Sequence, residues 1–277
     1  MPSAELLTRV QALVLMILVI CAPLPAADLP ASPHPFIVIA HRGEHSRAPE
    51  NSLRSFRNAI EAGLDYVEMD VRRTRDGSHV LMHDRTIHRT TDGHGRVEEL
   101  DFATLRSYTL RDTNTPTAAP ERVPSFEEAL AACRGRINIY LDFKDGDPAQ
   151  LLRSIHHADM TRRVLVYCSN DKITHWHDAA PELPLIVSPP NHLGKSPTGL
   201  VDWAKAQRVE VLDGSWDHYS PEAVQAAQAA GIRIWPDIQD GKENPEYWQR
   251  VLALGFSGVQ SDLPVPLASW LKTKGRR

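Results

Sequence analysis

The chain has 277 residues, of which 42% are hydrophobic and 24% are charged, and its formal net charge is -4 at pH 7. This length and composition are those of an ordinary globular protein with enough apolar material for one large domain. The slight acidic excess argues against a nucleic-acid-binding surface, which usually needs a basic excess.

The first 27 residues have the pattern of an export signal. Arg9 supplies a short basic region, residues 12–22 form an apolar run, and small residues follow as far as Ala27. This order is typical of a secretory signal peptide, and the run is about half the ~20 residues of a spanning helix. A lipoprotein anchor through Cys21 is the alternative, but Ile20 stands where a small residue is wanted. We therefore expect an exported protein, periplasmic or extracellular, without a stable transmembrane anchor.

After a Pro-rich linker at 28–35, one domain is expected over 36–277, because short β-branched runs alternate there with helix-like stretches. The predicted strands are Phe36–Ala40, Tyr66–Asp70, Ile137–Asp142, Val164–Cys168, Leu185–Val187, Glu210–Asp213, Ile232–Trp235 and Gly258–Gln260. The predicted helices are Ser52–Ala62, Ser125–Ala132, Ala149–His157, Ile173–Ala180, Thr198–Ala206, Pro221–Ala230 and Pro245–Leu254. Eight strands in this alternation favour parallel pairing and a (β/α)8 TIM barrel. An open doubly wound sheet is the alternative, but no Gly-rich fingerprint follows the first strand.

One segment interrupts the alternation after the second strand. Asp76-Gly77 stands between two extended runs, which predicts a β-hairpin with a two-residue turn. Such a turn would place His83 opposite Asp70, at the carboxyl-end rim where barrel active sites lie. Farther along, Cys133 and Cys168 are expected at opposite ends of the barrel, so no disulfide is expected between them.

The acidic residues at two strand ends suit a metal site. Glu68 and Asp70 are two apart on one strand and therefore face the same side. Asp142 ends the next barrel strand and offers a third oxygen ligand of the kind that Ca²⁺ and Mg²⁺ prefer. Taken alone, each could be a solvent-facing acid or a loop salt bridge. Together they predict one divalent metal ion, Ca²⁺ or Mg²⁺.

Basic and imidazole side chains occupy the same strand ends. His41 and His83 suit proton transfer near neutral pH, although a histidine satisfied within the core is the simpler alternative. Arg42 and Lys144 suit contacts with phosphate oxygens. Glu50 precedes a helix and is a possible supporting residue for the metal or a histidine. This inventory favours metal-dependent attack on a phosphate ester.

These segments resemble the glycerophosphodiester phosphodiesterase family over nearly all of residues 36–265. The matching segments are Ile39-Ala40-His41-Arg42-Gly43, Pro49-Glu50-Asn51-Ser52, Glu68-Met69-Asp70-Val71, Met82-His83-Asp84, residues 89–95, Asp142-Phe143-Lys144 and Gly258-Val259-Gln260-Ser261-Asp262. The resemblance implies a barrel with a hairpin-bearing insertion that hydrolyses glycerophosphodiesters to glycerol 3-phosphate and an alcohol. It also implies metal ligands at Glu68, Asp70 and Asp142, acid–base roles for His41 and His83, and phosphate contacts from Arg42 and Lys144.

Two departures from the family pattern leave the substrate open. The third acidic ligand is usually glutamate, whereas Asp142 resembles sphingomyelinase-D-like relatives, so a lysophospholipid is an alternative substrate. The seventh strand ends in Trp235-Pro236-Asp237-Ile238 where the family often has Trp-Thr-Val-Asn. Trp235 is a candidate wall of the alcohol pocket.

Two other functions of the same barrel are the alternatives. A non-catalytic phospholipid-binding barrel would be expected to lose a ligand or a histidine, and an amidohydrolase would want His-x-His on the first strand.

For the reaction itself, attack by the neighbouring hydroxyl of glycerol, giving a cyclic phosphate, is favoured over direct attack by water because a tethered nucleophile has a high effective concentration. The sequence predicts no oligomeric state.

Overall fold

The structure, a computed structural model, describes residues 27–112, 115 and 118–277. Apart from Ala27, the predicted signal peptide lies outside these residues, as does Cys21. The strands of the described part are β1 Ile37–Ala40, β2 Tyr66–Arg73, β3 His79–Leu81, β4 Asn138–Phe143, β5 Val164–Tyr167, β6 Leu185–Val187, β7 Val211–Leu212, β8 Arg233–Ile234 and β9 Gly258–Ser261. Its α-helices are α1 Leu53–Glu61, α2 Phe102–Leu105, α3 Phe126–Cys133, α4 Pro148–His157, α5 Ile173–Ala179, α6 Pro197–Gln207, α7 Pro221–Ala229, α8 Pro245–Ala253 and α9 Pro264–Thr273.

Eight parallel strands form a barrel in the order β8-β7-β6-β5-β4-β2-β1-β9. An isolated parallel bridge from Asp237 to Gln260 links the two ends of this order, and another, from Ser215 to Asp237, extends the pairing of β7 with β8. The remaining strand, β3, lies off this path and pairs antiparallel with β2. The predicted (β/α)8 barrel with a hairpin after its second strand is confirmed.

The element boundaries follow local chemistry. Predicted and observed boundaries agree within one residue, except that β2 continues into the hairpin as far as Arg73. Ser52 and Ser125 cap α1 and α3 with reciprocal capping boxes. The sequence analysis missed α2 and α9. The last helix, α9, begins with Pro264 and has a second proline two residues later, and these prolines obscure its periodic pattern. A helix tolerates proline in its first turn because the N–H groups there have no intrahelical partner.

The hairpin is paired one residue away from the predicted register. Val71 pairs with Leu81, and the amide of Met82 donates to the carbonyl oxygen of Asp70 at 3.0 Å, so the predicted pairing of His83 with Asp70 is wrong. The cause is the turn, in which Gly77 adopts φ = +84° and donates to the Thr74 carbonyl at 3.0 Å. A loop of this kind contains three residues with glycine in the left-handed position, not two.

The core consists of three apolar clusters. The largest lies between the barrel and its helices, and the third fills the insertion between β3 and α3. The barrel interior contains Ile37, Ile39, Tyr66, Tyr140, Leu165, Ile186, Val211 and Trp235. Residues 29–31 contact its amino-terminal end: Leu29 packs against the interior cluster, and the Pro30 carbonyl accepts from Tyr66 at 3.1 Å.

Cys133 and Cys168 are both buried and free. Within the described residues, no helix combines the length and the apolar character needed to cross a membrane.

Candidate active site

Three carboxylates meet at the carboxyl end of the barrel. Glu68 and Asp70 share one face of β2, and Asp142 on β4 is paired in register with Asp70. One oxygen of each side chain lies within 4.8 Å of the others. Glu68 and Asp70 are each only 1% exposed. The structure thus brings together the three acids that the sequence singled out.

The electrostatics of this cluster are dominated by burial. Burial, with the charges of Asp70 and Asp142, raises the pKa of Glu68 well above its usual value. Burial also raises the pKa of Asp142 to about 6. At Asp70 burial is outweighed by nearby cations, Lys144 foremost, and the pKa is lowered. The Lys144 ammonium lies 3.1 Å from Asp70 Oδ1 and 2.6 Å from Asp142 Oδ2.

The donor set fits a divalent cation. Glu68 Oε1 and Asp142 Oδ1 are buried and have no hydrogen-bond partner among the described residues. A buried carboxylate oxygen without a partner is costly, and an ion would satisfy it. Hard carboxylate oxygens are the ligands preferred by Ca²⁺ and Mg²⁺.

Each of the two histidines is oriented by a carboxylate. His41 Nδ1 donates to Asp262 Oδ1, and His83 Nδ1 donates to Asp84 Oδ1, both at 2.7 Å. Because a carboxylate can only accept, Nδ1 carries the hydrogen and Nε2 is left for the cavity. Burial lowers the pKa of His83, although Asp70 and Asp84 act in the opposite direction. The neutral form of His83 is therefore favoured near neutral pH.

Arg42 adopts a left-handed backbone conformation, with φ = +53°. Its amide donates to Glu68 Oε2 at 2.6 Å, and its guanidinium donates to Glu50 Oε1 at 3.0 Å. Gly43 follows at φ = +83°, where an added Cβ would overlap the first turn of α1. The turn therefore needs glycine, and it directs the arginine side chain toward the acidic cluster.

Glu50 belongs to a charged network at the edge of the site. It accepts from Arg42 and also from Arg89, whose Nη1 lies 2.6 Å from Glu50 Oε2. The Nε of Arg89 donates to Asp84 Oδ2 at 2.6 Å, and this hydrogen bond lowers the pKa of Asp84. Arg89 thus connects Glu50 with the carboxylate that holds His83.

Sequence reasoning missed several of these supporting residues. Asn51 donates to Asp70 Oδ2 at 2.7 Å and accepts from the Asp70 amide at 3.0 Å, whereas the helix cap is Ser52. The carboxylates that hold the histidines, Asp84 and Asp262, were visible only as neighbours of predicted strand ends. Their position after a strand was the available signal, but it does not specify a histidine partner.

Trp235 does not lie in the active-site cavity. It is 2% exposed, its ring centroid lies 5.5 Å from that of Tyr66, and its Nε1 donates to Ser257 at 3.1 Å. The interpretation of Trp235 as a wall of the alcohol pocket is wrong, because its side chain fills the barrel interior. Asp237, two residues later, reaches the cavity instead.

A cavity of about 380 Å³ contains the site. Its lining includes His41, Arg42, Asp70, His83, Asp142 and Lys144, together with Tyr140, Tyr167, Asp213, Asp237, Gln239 and Gln260, which the sequence analysis did not select. Every lining side chain carries a polar group. Two larger hollows, of about 590 and 820 Å³, contain none of the three clustered acids. Cations, histidines and carboxylates in one cavity suit acid–base chemistry on an anionic ester.

The chain is similar to known phosphodiesterases over most of its length. A glycerophosphodiester phosphodiesterase of Caldanaerobacter subterraneus subsp. tengcongensis is 28% identical over 250 residues, which cover 86% of this chain and 99% of that protein. The crystal structure of a glycerophosphodiester phosphodiesterase from Agrobacterium tumefaciens matches with a TM-score of 0.73 at 22% identity, over 84% of this chain and 99% of the other.

An Oleispira antarctica phosphodiesterase, solved in complex with sn-glycerol-3-phosphate, matches with a TM-score of 0.73 at 22% identity, over 85% of this chain and 96% of the other. At 22% identity, these two structural matches show the fold alone. The Glycerophosphoryl diester phosphodiesterase family matches residues 41–265. Because that match spans most of the sequence, the chain belongs to the Glycerophosphoryl diester phosphodiesterase family.

Proposed function

We propose that the chain hydrolyses glycerophosphodiesters to glycerol 3-phosphate and an alcohol with the help of one divalent cation, Ca²⁺ or Mg²⁺. Membership of the family makes it a glycerophosphodiester phosphodiesterase, a phosphoric diester hydrolase. The observation that carries the metal-dependent mechanism is that two members of the acidic cluster, Asp70 and Asp142, line the same cavity as both carboxylate-held histidines.

Glu68, Asp70 and Asp142 would hold the cation. When bound, a divalent cation neutralises negative charge that develops on phosphate oxygens. Asn51 fixes Asp70 through two hydrogen bonds, and the Arg42 amide fixes Glu68, so the donor oxygens are oriented in advance. Such support normally improves metal affinity.

Arg42 and Lys144 would bind the phosphate. Both side chains line the cavity, and both lie against carboxylates of the acidic cluster. The guanidinium offers a planar pair of donors and the ammonium a point charge. Since Glu50 also holds Arg42, the guanidinium is kept at the rim when no substrate is present.

His41 and His83 would move the protons. One must accept the proton of the attacking hydroxyl, and the other must donate a proton to the leaving oxygen, so the two must differ in protonation. The lowered pKa of His83 suits it to the accepting role. His41 is then left to donate a proton to the leaving oxygen, with its ring oriented by Asp262.

A small polar alcohol is the preferred substrate moiety. The cavity has a volume of about 380 Å³, and its lining consists of polar side chains, with Tyr140 and Tyr167 as its aromatic members. An acyl chain would need an apolar groove, so these features favour a water-soluble glycerophosphodiester over a lysophospholipid.

We further propose that the glycerol hydroxyl next to the ester attacks phosphorus first, which breaks the bond between phosphorus and the alcohol oxygen and releases the protonated alcohol. The resulting cyclic phosphate would then be opened by water, and the same two histidines would serve both steps. Phosphorus NMR during turnover of glycerophosphoethanolamine should show a transient cyclic phosphate. Efficient turnover of a bis-aryl phosphate, with no cyclic species from the glycerol diester, would favour direct attack by water.

Release of glycerol 3-phosphate tests the function. The His41→Ala and His83→Ala variants should each lose about 10²–10⁴ in kcat, the range for loss of a general acid or base. His157→Ala is the matched control, since His157 is exposed at the end of α4, away from the cavity. Near wild-type turnover in both cavity variants would refute these roles.

A further inference from the structure

The cavity has a second acidic end, formed by side chains that the proposed reaction does not use. Asp213 and Asp237 lie on the segments that follow β7 and β8, and Gln260 lies on β9. All three line the cavity that contains His41 and Lys144. We call these three residues the acidic end of the cavity.

The acidic end presents hydrogen-bond acceptors without partners. Asp213 is 3% exposed and Gln260 is 5% exposed, yet Asp213 Oδ1 and Gln260 Oε1 have no hydrogen-bond partner among the described residues. Buried acceptors of this kind normally find a donor, so an absent ligand group is the simplest explanation. The unpartnered Asp213 Oδ1 and Gln260 Oε1 point to a ligand independently of the clustering of acids.

Several side chains at this end already donate to the two carboxylates. Tyr140 donates its hydroxyl hydrogen to Asp213 Oδ2 at 2.7 Å. Gln260 Nε2 and Gln239 Nε2 donate to Asp237 Oδ1 at 2.6 and 3.1 Å. Because the carboxylate of Asp237 can only accept, the Gln260 amide must turn its nitrogen toward it and leave its oxygen free. What remains for a ligand is therefore a set of acceptors.

Among the described residues, no lysine or arginine forms an ion pair with Asp213 or Asp237. The cations of the cavity, Arg42 and Lys144, are instead paired with Glu50, Asp70 and Asp142. Burial, and then the nearby charge of Asp237, raises the pKa of Asp213 well above its usual range. A cation bound between the two carboxylates would remove this repulsion.

We propose that the acidic end binds a protonated primary amine on the alcohol moiety of the substrate, through Asp213, Asp237 and the amide oxygen of Gln260. A primary ammonium has three N–H donors and no acceptor, which matches this set. A neutral hydroxyl brings a single donor to these acceptors and no charge to offset the carboxylates. The inference rests on the proposed function, since it assigns the alcohol side of the same phosphodiester, as in an ethanolamine ester.

Binding measurements test this assignment without catalysis. O-phosphorylethanolamine and n-propyl phosphate differ essentially by an ammonium in place of a methyl group. Calorimetry on the Mg²⁺-loaded protein should show the amine binding about 10- to 100-fold more tightly, the range for a charge-assisted hydrogen bond. Equal affinities in the wild-type protein would overturn the proposal, whatever the variants do.

Two variants locate the effect. Asp213→Asn keeps an oxygen for Tyr140 and puts an NH₂ group where the free acceptor was, and Asp237→Asn removes the second charge. Each should lower the preference for the amine at least about tenfold. Asp217→Asn, at an exposed carboxylate on the same side of the barrel, should keep the preference and controls for net charge. An unchanged preference in both cavity variants would overturn the assignment.

A third ligand separates the alcohol from glycerol. If the acidic end held glycerol instead, sn-glycerol 3-phosphate would lose affinity in the Asp213→Asn and Asp237→Asn proteins as much as the amine does, which would overturn the proposal. We expect its affinity to change by less than about threefold. Failure to hydrolyse any glycerophosphodiester would refute the proposed function alone, because the binding comparison stands by itself.

Discussion

At the scale of single residues, the acidic cluster places repulsive charge where a cation is needed. Glu68→Gln keeps the side-chain shape and an oxygen for the Arg42 amide, but it removes one buried charge. Affinity for Ca²⁺ or Mg²⁺ should fall about 100-fold or more. The metal-free variant should at the same time unfold at a higher temperature than the wild type, because repulsion with Asp70 and Asp142 is relieved.

Calorimetric titration and thermal unfolding in chelator measure these two effects. Glu61→Gln, at an exposed position at the end of α1, is the matched control and should change neither. A Glu68→Gln protein with wild-type metal affinity would remove Glu68 from the metal site.

Metal binding should also depend on pH. The pKa of Asp142 is raised to about 6 in the metal-free protein, mainly by burial, and that of Glu68 is raised as well. An acid whose folded-state pKa is raised lowers stability as the pH rises from its unfolded-state pKa to its folded-state pKa, because the unfolded chain ionises first. Through Asp142, the metal-free protein should therefore lose stability as the pH rises toward about 6 and should stay at the lower stability above it, and cation binding should restore what is lost.

Measurement of unfolding temperature with and without Mg²⁺ checks this expectation. The stabilisation by metal should be larger at pH 8 than at pH 5, with protons released on binding at the lower pH. A metal effect of the same size at both pH values would contradict the expected direction.

At the scale of elements, the insertion between β3 and α3 holds His83, one of the two histidines proposed to move protons. Arg89, within this insertion, pairs with Asp84 and Glu50, and Asp84 orients His83. In Arg89→Ala the two carboxylates lose their cation, so the pKa of His83 should rise. If His83 accepts a proton, the acidic limb of the pH–kcat profile should move to higher pH.

The shift in the acidic limb distinguishes positioning from a general structural role. Arg89 is 44% exposed, so its ion pairs should add no more than about 1 kcal/mol to the free energy of unfolding. Arg89→Lys keeps the charge and should retain more of the wild-type profile. A lower kcat with an unmoved acidic limb would contradict the proposed coupling to His83.

The positions of the strands and helices could be predicted from the sequence, but the register of the hairpin could not. Strand and helix positions follow from hydrophobic period and cap residues such as Ser125, which are local. The hairpin register does not, because Asp76-Gly77 fits both a two-residue turn and the three-residue loop observed. The backbone geometry at Gly77 decides between them, and with it whether Met82 or His83 faces Asp70.

Some residues of the candidate site could likewise be predicted from the sequence, and others could not. Glu68, Asp70 and Asp142 could be predicted because adjacent parallel strands bring their ends together. Trp235 was misplaced because the depth of a side chain in the barrel depends on how the strands stagger. Asp213 was not selected because a carboxylate after a short strand has no distinctive pattern, and its role arises only when Tyr140 contacts it.

At the scale of the whole molecule, the barrel is expected to work outside the cytoplasm. We propose that residues 1–27 are removed on export, as their charged, apolar and small-residue regions indicate. N-terminal sequencing of the exported protein should give a start near Asp28. Recovery of the intact chain, still beginning at Met1, from the cytosol alone would contradict the proposal.

The central claim is that one cavity combines a divalent cation at Glu68, Asp70 and Asp142 with glycerophosphodiester hydrolysis. The most direct measurement is glycerol 3-phosphate release by chelated protein, titrated with Mg²⁺ or Ca²⁺. We expect negligible turnover before metal is added and full turnover with about one equivalent bound per chain, as one acidic cluster predicts. Full turnover in excess chelator, or a Glu68→Gln variant with wild-type rate and metal response, would contradict the claim.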